Sequence, residues 1–205
     1  DNVDVDNLFD FLSYQIFFAN TDSGNIRFYK IPGGKWKWIL FDMDYGLFAS
    51  SNNGIRNMMN PKGHGSNDDI DNTIWLKLLE NPEMRDRFLR RFGEIFQFLT
   101  TERMLDKIDE LAKQIEPELT IHYERWAQFN LKSISVEQPL TVDGCIRYWN
   151  SRINRLRNVA KKRPRHCWVQ VKEWYNLSDE QMIEYFGEKP EFPADAELNN
   201  ADKKI

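Results

Sequence analysis

Asn20-Thr21-Asp22-Ser23-Gly24-Asn25-Ile26-Arg27-Phe28-Tyr29-Lys30, then Ile31-Pro32-Gly33-Gly34-Lys35, then Trp36-Lys37-Trp38-Ile39-Leu40-Phe41-Asp42-Met43-Asp44-Tyr45-Gly46-Leu47: the reading of this chain turns on that stretch. Residues 26–30 alternate and are rich in β-branched and aromatic side chains, as a half-buried strand requires. Pro32, Gly33 and Gly34 break both neighbouring runs and predict a turn. Residues 36–41 form a second strand, polar at Lys37 and then continuously apolar, which predicts a buried far end. Together they make an antiparallel hairpin over residues 26–42. Asp22 and Asn25 flank its entrance, Asp42 and Asp44 its exit, and in an antiparallel pair those two ends are neighbours. Carboxylates converging at a strand end repel one another, and a divalent cation is the usual remedy. Oxygen donors of the Asp and Asn type suit Mg²⁺, Mn²⁺ or Ca²⁺ rather than Zn²⁺.

Working outward, Asp4 or Asp6 is placed to cap a helix in which Leu8, Phe11, Leu12, Ile16 and Ala19 keep helical spacing. Tyr14 and Gln15 on that helix read as packing or surface, with a place in a site as the alternative. Beyond the hairpin, residues 47–72 read as a long loop, and loops of that length inside a compact domain are functional or disordered. Within it His64 stands between two glycines. Asp68, Asp69 and Asp71 suit helix capping or, without an EF-hand pattern, a cation.

From residue 72 to 187 the expected structure is helical. Ile74, Trp75, Leu78 and Leu79 form a stripe stopped by Asn81-Pro82. Phe88, Leu89, Phe92, Ile95 and Phe96 form the next, decorated by Arg85, Arg87, Arg90 and Arg91, which read as a solvated face. Another helix begins at Thr101, is interrupted near Pro117 and resumes through His122. Residues 142–160 and 166–175 are expected as two helices. Between them Lys161-Lys162-Arg163-Pro164-Arg165-His166 reads as a solvated helix end before a proline, with a phosphate-binding patch as the functional alternative. Ser178 and Gln181 form a capping box closed by Gly187. Residues 188–205, poor in apolar side chains, read as a linker or disordered tail.

Composition narrows the classes further. A chain of 205 residues with seven Trp and fourteen Phe supports a sizeable single core. A formal charge of −4 argues against a general nucleic-acid binder. No run approaches the ~18 apolar residues that span a bilayer. Cys145 and Cys167 lack metal-site spacing and suit either one disulfide or two buried thiols.

The motifs also carry a resemblance. Asp4-Val5-Asp6-Asn7-Leu8, Gln15 with Asn20-Thr21-Asp22, Asn25, and the run from Trp36 to Gly46 resemble the CotH family of atypical spore-coat kinases. Trp75 to Pro82, Phe88 to Phe92, His122 with Arg125-Trp126, and Arg163-Pro164 with Trp174-Tyr175 agree, so the likeness covers roughly residues 1–187. It implies a mainly α fold with a small antiparallel hairpin, similar to a protein-kinase C-terminal lobe. It also implies transfer of the ATP γ-phosphoryl group to a protein serine with Mg²⁺ or Mn²⁺. By the same resemblance Asp22 is the catalytic aspartate, and Asn25 with Asp44 or Asp42 holds the metal that bridges the phosphates. Asp44 is preferred because Asp44-Tyr45-Gly46 is similar to the Asp-Phe-Gly of ordinary kinases. A bacterial surface, spore-coat or envelope setting follows from the resemblance alone. No Gly-rich loop and no lysine strand precedes residue 4, so catalysis is expected to need an N-terminal lobe supplied elsewhere.

Two rivals stand beside this reading. One is a non-catalytic kinase-like scaffold whose 47–72 loop contacts a partner. The other is a phosphatase, because residues 39–44 also resemble the Asp-x-Asp nucleophile strand of haloacid-dehalogenase-type enzymes, which requires several later βα units.

Overall fold

The computed structural model describes residues 2–22, 26–61, 72–130, 141–200 and 202–205. The chain is mainly α-helical with one two-stranded antiparallel sheet. In order come α1 (Val5–Phe18), β1 (Arg27–Tyr29), β2 (Lys37–Ile39), α2 (Gly54–Met59), α3 (Thr73–Glu80), α4 (Pro82–Phe98) and α5 (Thr101–Ile115). A 3₁₀ turn (Glu116–Glu118) leads into α6 (Leu119–Asn130). Then come α7 (Val142–Tyr175), α8 (Asp179–Phe186) and a final 3₁₀ turn (Asp202–Lys204).

The helix boundaries follow from local chemistry. Asp4 caps α1 by accepting from the Asn7 N–H, and Asn81 caps α4 with Pro82 in the first turn. Thr100, Thr141 and Ser178 do the same for α5, α7 and α8, and the expected capping box of Ser178 and Gln181 is complete.

The core is built around α1. Leu8, Phe9, Phe11, Leu12, Ile16 and Phe17 are all buried, so this helix is enclosed on most of its surface. Phe9 meets Phe88 edge-on at 5.4 Å, Phe17 meets Phe96 at 5.9 Å, and Phe92 meets Phe186 at 5.2 Å. Such pairs contribute roughly 0.5–1.5 kcal/mol each beyond area burial. Close approach of α8 to α4 requires Gly93, since a Cβ there would lie 1.8 Å from the Tyr185 carbonyl oxygen.

The hairpin pairs Arg27 with Ile39, Phe28 with Trp38 and Tyr29 with Lys37. It is fastened to the start of α1 by backbone bonds between Trp36 and both Asn2 and Asp4, by the Lys37–Asp4 ion pair, and by one side chain of the helix itself. Asn7 accepts from the Trp38 N–H at 2.6 Å and donates to the Trp38 carbonyl at 3.1 Å, standing in for a strand neighbour. Trp38 is the buried residue of β2. Ile39, Leu40 and Phe41 are 42%, 45% and 48% exposed, so the expected buried far end is not found. A two-stranded ribbon has one face on α1, and nothing described covers the other.

Four further expectations change. Part of the 47–72 loop is α2, whose Ile55, Met58 and Met59 enter the core; His64, Asp68, Asp69 and Asp71 lie outside the described residues. The two helices expected at 142–160 and 166–175 are one 34-residue helix that runs through Pro164. The basic run at 161–166 is not a solvated end, because Lys162, Arg163 and His166 are buried. The tail from 188 is held along α7 rather than free. Lys161 binds Asp195, Arg165 donates to the Pro190 and Ile205 carbonyls, and the buried Asp202 accepts from Lys162 at 2.9 Å and pairs with His166 at 2.7 Å. An interior proline costs a helix about 3 kcal/mol, and these bonds on either side of Pro164 offset it.

Cys145 and Cys167 are both free and buried. Among the described residues the strands form one antiparallel pair, with a single parallel bridge from Val3 to Trp36, and no parallel βα units of the kind the phosphatase reading requires. Among the described residues no helix is long and apolar enough to cross a membrane.

Candidate active site

The site is assembled where α1 ends. A helix C-terminus leaves four carbonyls without intrahelical partners, and here each finds one. The Gln15 carbonyl accepts from the Asn20 N–H and that of Ile16 from the Ala19 N–H and from Arg163. That of Phe17 accepts from Arg163, and that of Phe18 from the Leu47 N–H at 2.7 Å. Two of these donors come from far along the chain. Leu47 belongs to the segment following Asp44, so the same contacts that finish α1 dock the Asp44 segment against it.

Asn20 performs the next step of positioning. Its side chain is buried, accepts from the Asp22 N–H at 3.2 Å through Oδ1, and points Nδ2 at the Met43 sulfur at 3.5 Å. One amide thereby touches both the Asp22 turn and the residue between Asp42 and Asp44. Sequence reasoning treated Asn20 only as part of a motif. Its one signal was its place just past a helix end, where Asn commonly satisfies backbone groups.

Asp42 and Asp44 share a hydrogen bond at the exit of β2. Partial loss of water, then that bond, then the negative charges of Asp44 and Asp22 raise the Asp42 pKa above its ordinary value, against the pull of Arg27. Asp42 is exposed, so the carboxylate pair is the part of this shift with chemical meaning. Of the four expected site residues, the structure thus brings Asp42 and Asp44 into contact, with Asp22 close enough for its charge to act. Asn25 lies outside the described residues.

The backbone here is held in uncommon conformations. Ala19, Asp42 and Leu47 have φ of +51°, +53° and +57°, the left-handed region that costs side-chain-bearing residues roughly 1–2 kcal/mol. All three lie in the two segments that carry the aspartates, and such strain persists only where the surroundings enforce it.

Open space adjoins Asp44 on two sides. One cleft of about 380 Å³ is mostly apolar and includes Tyr14, Phe18, Leu40 and Met43. The other, about 500 Å³, is bordered by Phe48, Tyr148, Arg152 and Arg155. Tyr14, stacked on Phe18 at 6.3 Å, therefore faces the site rather than the core, and buried Gln15 does not.

Two neighbouring carboxylates whose charges repel are a donor set suited to a hard divalent cation. Mg²⁺ in particular is bound through one or two carboxylates with water and phosphate oxygens completing its shell. Among the described residues no three of His, Cys, Asp and Glu form a ready-made metal cage. The arrangement fits a cation that arrives with an oxyanion better than one held by protein alone.

A family model described as CotH kinase protein matches residues 1–167. Comparisons with curated proteins and with solved structures return no match.

Proposed function

This chain belongs to the CotH kinase protein family, and on that premise we propose that it carries the phosphoryl-transfer portion of a kinase-like site. The reaction is transfer of the ATP γ-phosphoryl group to a serine hydroxyl of a protein, in a setting at the bacterial surface or spore coat. The observation that supports the reading is the Asp42/Asp44 pair at the end of the hairpin with Asp22 near enough for its charge to act on Asp42, inside the matched region.

Asp22 orients the acceptor hydroxyl and takes up its proton as the phosphorus–oxygen bond forms. Asp44, with Asp42 and Asn25, would hold Mg²⁺ or Mn²⁺, and such a cation would supply neutralisation of phosphate charge. Asn20 keeps the Asp22 turn and the Asp42–Asp44 turn at a fixed spacing, which is where positioning catalysis resides. The unit is the C-lobe-like domain of residues 1–187 with the 188–205 segment packed on it. The exposed side chains of Phe28, Ile31, Leu40 and Phe41 support a second, nucleotide-covering body against the hairpin.

The test is transfer of labelled γ-phosphate by the full-length protein with Mg²⁺ or Mn²⁺. Asp22→Ala should lower turnover by about 10²-fold or more, and Asp42→Asn and Asp44→Asn should rank the two metal ligands by their cation dependence. A full-length protein that binds no nucleotide and transfers nothing would remove the kinase reading. The exposed hairpin would then be read as the contact face of a non-catalytic scaffold.

A further inference from the structure

Arg163 stands midway along α7 with no exposed surface, and no carboxylate pairs with it among the described residues. Its guanidinium is spent instead on four backbone carbonyls. Nε and Nη2 donate to Phe17 and Ile16 in the last turn of α1, while Nη1 donates to Ser50 and Asn52 at 2.8 Å each. One turn of backbone lies between the first pair and the Asp22 segment. The second pair belongs to the loop that leaves Asp44. Two turns further along α7, Gln170 donates to the Ser51 carbonyl at 3.1 Å, so three consecutive carbonyls of that loop are held from one helix.

Two features make this arrangement more than packing. The last turn of α1 contains no basic residue, and its partial negative end is met by a cation supplied from α7. Both joined segments also carry the left-handed residues Ala19, Asp42 and Leu47, whose backbone must be enforced from outside. Gly54 lets α2 come up beside the same carbonyls, since a Cβ there would lie 2.1 Å from the Ile16 oxygen.

We propose that Arg163 is a positioning residue of the phosphoryl-transfer site, holding the Asp22-bearing end of α1 and the Asp44-bearing loop in one register without touching substrate. The inference rests on the phosphoryl-transfer reading. A planar fork with five donors serves four carbonyls on two segments; a lysine, with three donors around one point, does not.

The experiment uses the full-length protein and Arg163→Lys, which keeps the charge and loses the fork. Backbone amides at residues 20–22 and 47–52 should exchange about tenfold faster or more, while those of Phe88 to Phe96 in α4 stay within about twofold of the unsubstituted protein. Turnover at saturating ATP and Mg²⁺ should fall about tenfold with the KM for ATP within about threefold. Gln170→Met is the graded variant for use if the lysine protein does not fold: it should speed exchange at 50–52 and leave 20–22 unchanged. Faster exchange spread evenly over all helices, or unchanged rates in both segments, would overturn the proposal. Absence of transfer by the unsubstituted protein would instead overturn the phosphoryl-transfer reading, and with it the catalytic meaning of the clamp, whatever the exchange pattern.

Discussion

On α4, Arg87 and Arg91 reach across to Asp6 and Asp10 of α1 with every partner still partly in water; on α7, Lys162, Arg163 and His166 lie behind the surface. The two stretches are alike in composition and both sit on helices. The difference is what covers them. The α4 arginines occupy the rim of the α1–α4 contact, where water screens each pair and the contribution is small. The α7 side chains point between α1, the 50–52 loop and the terminal segment, where each donor has a specified acceptor. A dense run of positive charge therefore says little about exposure until the acceptors around it are known.

That contrast can be broken most severely at Asp202. Asp202→Ala leaves the Lys162 ammonium buried without its carboxylate and His166 without its partner, and should cost about 3–5 kcal/mol in a denaturant titration. Release of the terminal segment should accompany it, seen as new proteolytic cleavage within residues 188–198. Retained stability and an uncut tail would mean that the buried hub is not what holds the segment.

A smaller effect concerns pH. Burial holds the His166 pKa below its ordinary value, with the Lys162 and Arg163 charges acting in the same direction and Asp202 opposing. The folded protein thus keeps His166 neutral where the unfolded chain would protonate it. Stability from this group is complete above about pH 6.5 and is lost as pH falls from there toward the lower folded value, by at most about 1.4 kcal/mol per pH unit. Asp202 adds a second, more acidic step. Burial would raise its pKa, but the Asn199 N–H, Lys162 and His166 together hold it low, so its contribution is lost only as pH falls below the ordinary carboxylate value. His166→Gln should flatten the upper step, while the lower one persists through the Asn199 N–H and Lys162, reduced by any loss of the His166 bond.

The smallest expected effect lies on α4. Arg91→Gln, which removes the bonds to Asp10 and Glu94, should change stability by no more than about 1 kcal/mol, and 1 M salt should erase the difference. A loss as large as that of Asp202→Ala would erase the distinction between the two regions.

Much of the helical frame could be read without coordinates because its signals are local. Asp4, one of the two expected caps, begins α1, α5 starts at the expected Thr101, and the Ser178–Gln181 box begins α8, while Asn81-Pro82, expected to stop α3, also starts α4; each of these caps satisfies donors within a few residues of itself. The hairpin was equally legible from alternation and the Pro-Gly-Gly turn. Its exposed far end was not, because an apolar run reports what a strand can bury and not whether anything lies opposite it. The continuity of α7 through Pro164 was hidden for a related reason: the penalty of the proline is local, while the bonds that offset it come from α1, residues 50–52 and residues 190–205.

The candidate site divides along the same line. Asp22, Asp42 and Asp44 could be named from residue type and from the pairing of hairpin ends, which are properties of spacing along the chain. The charge coupling that raises the Asp42 pKa and the Asn20 amide bridging both turns join segments about twenty residues apart, and the Arg163 fork that seats them joins segments separated by more than a hundred. Periodicity, capping and turn chemistry act over a few residues and were determined by the sequence itself; which polar groups are buried, and against which carbonyls, was decided only when the helices packed.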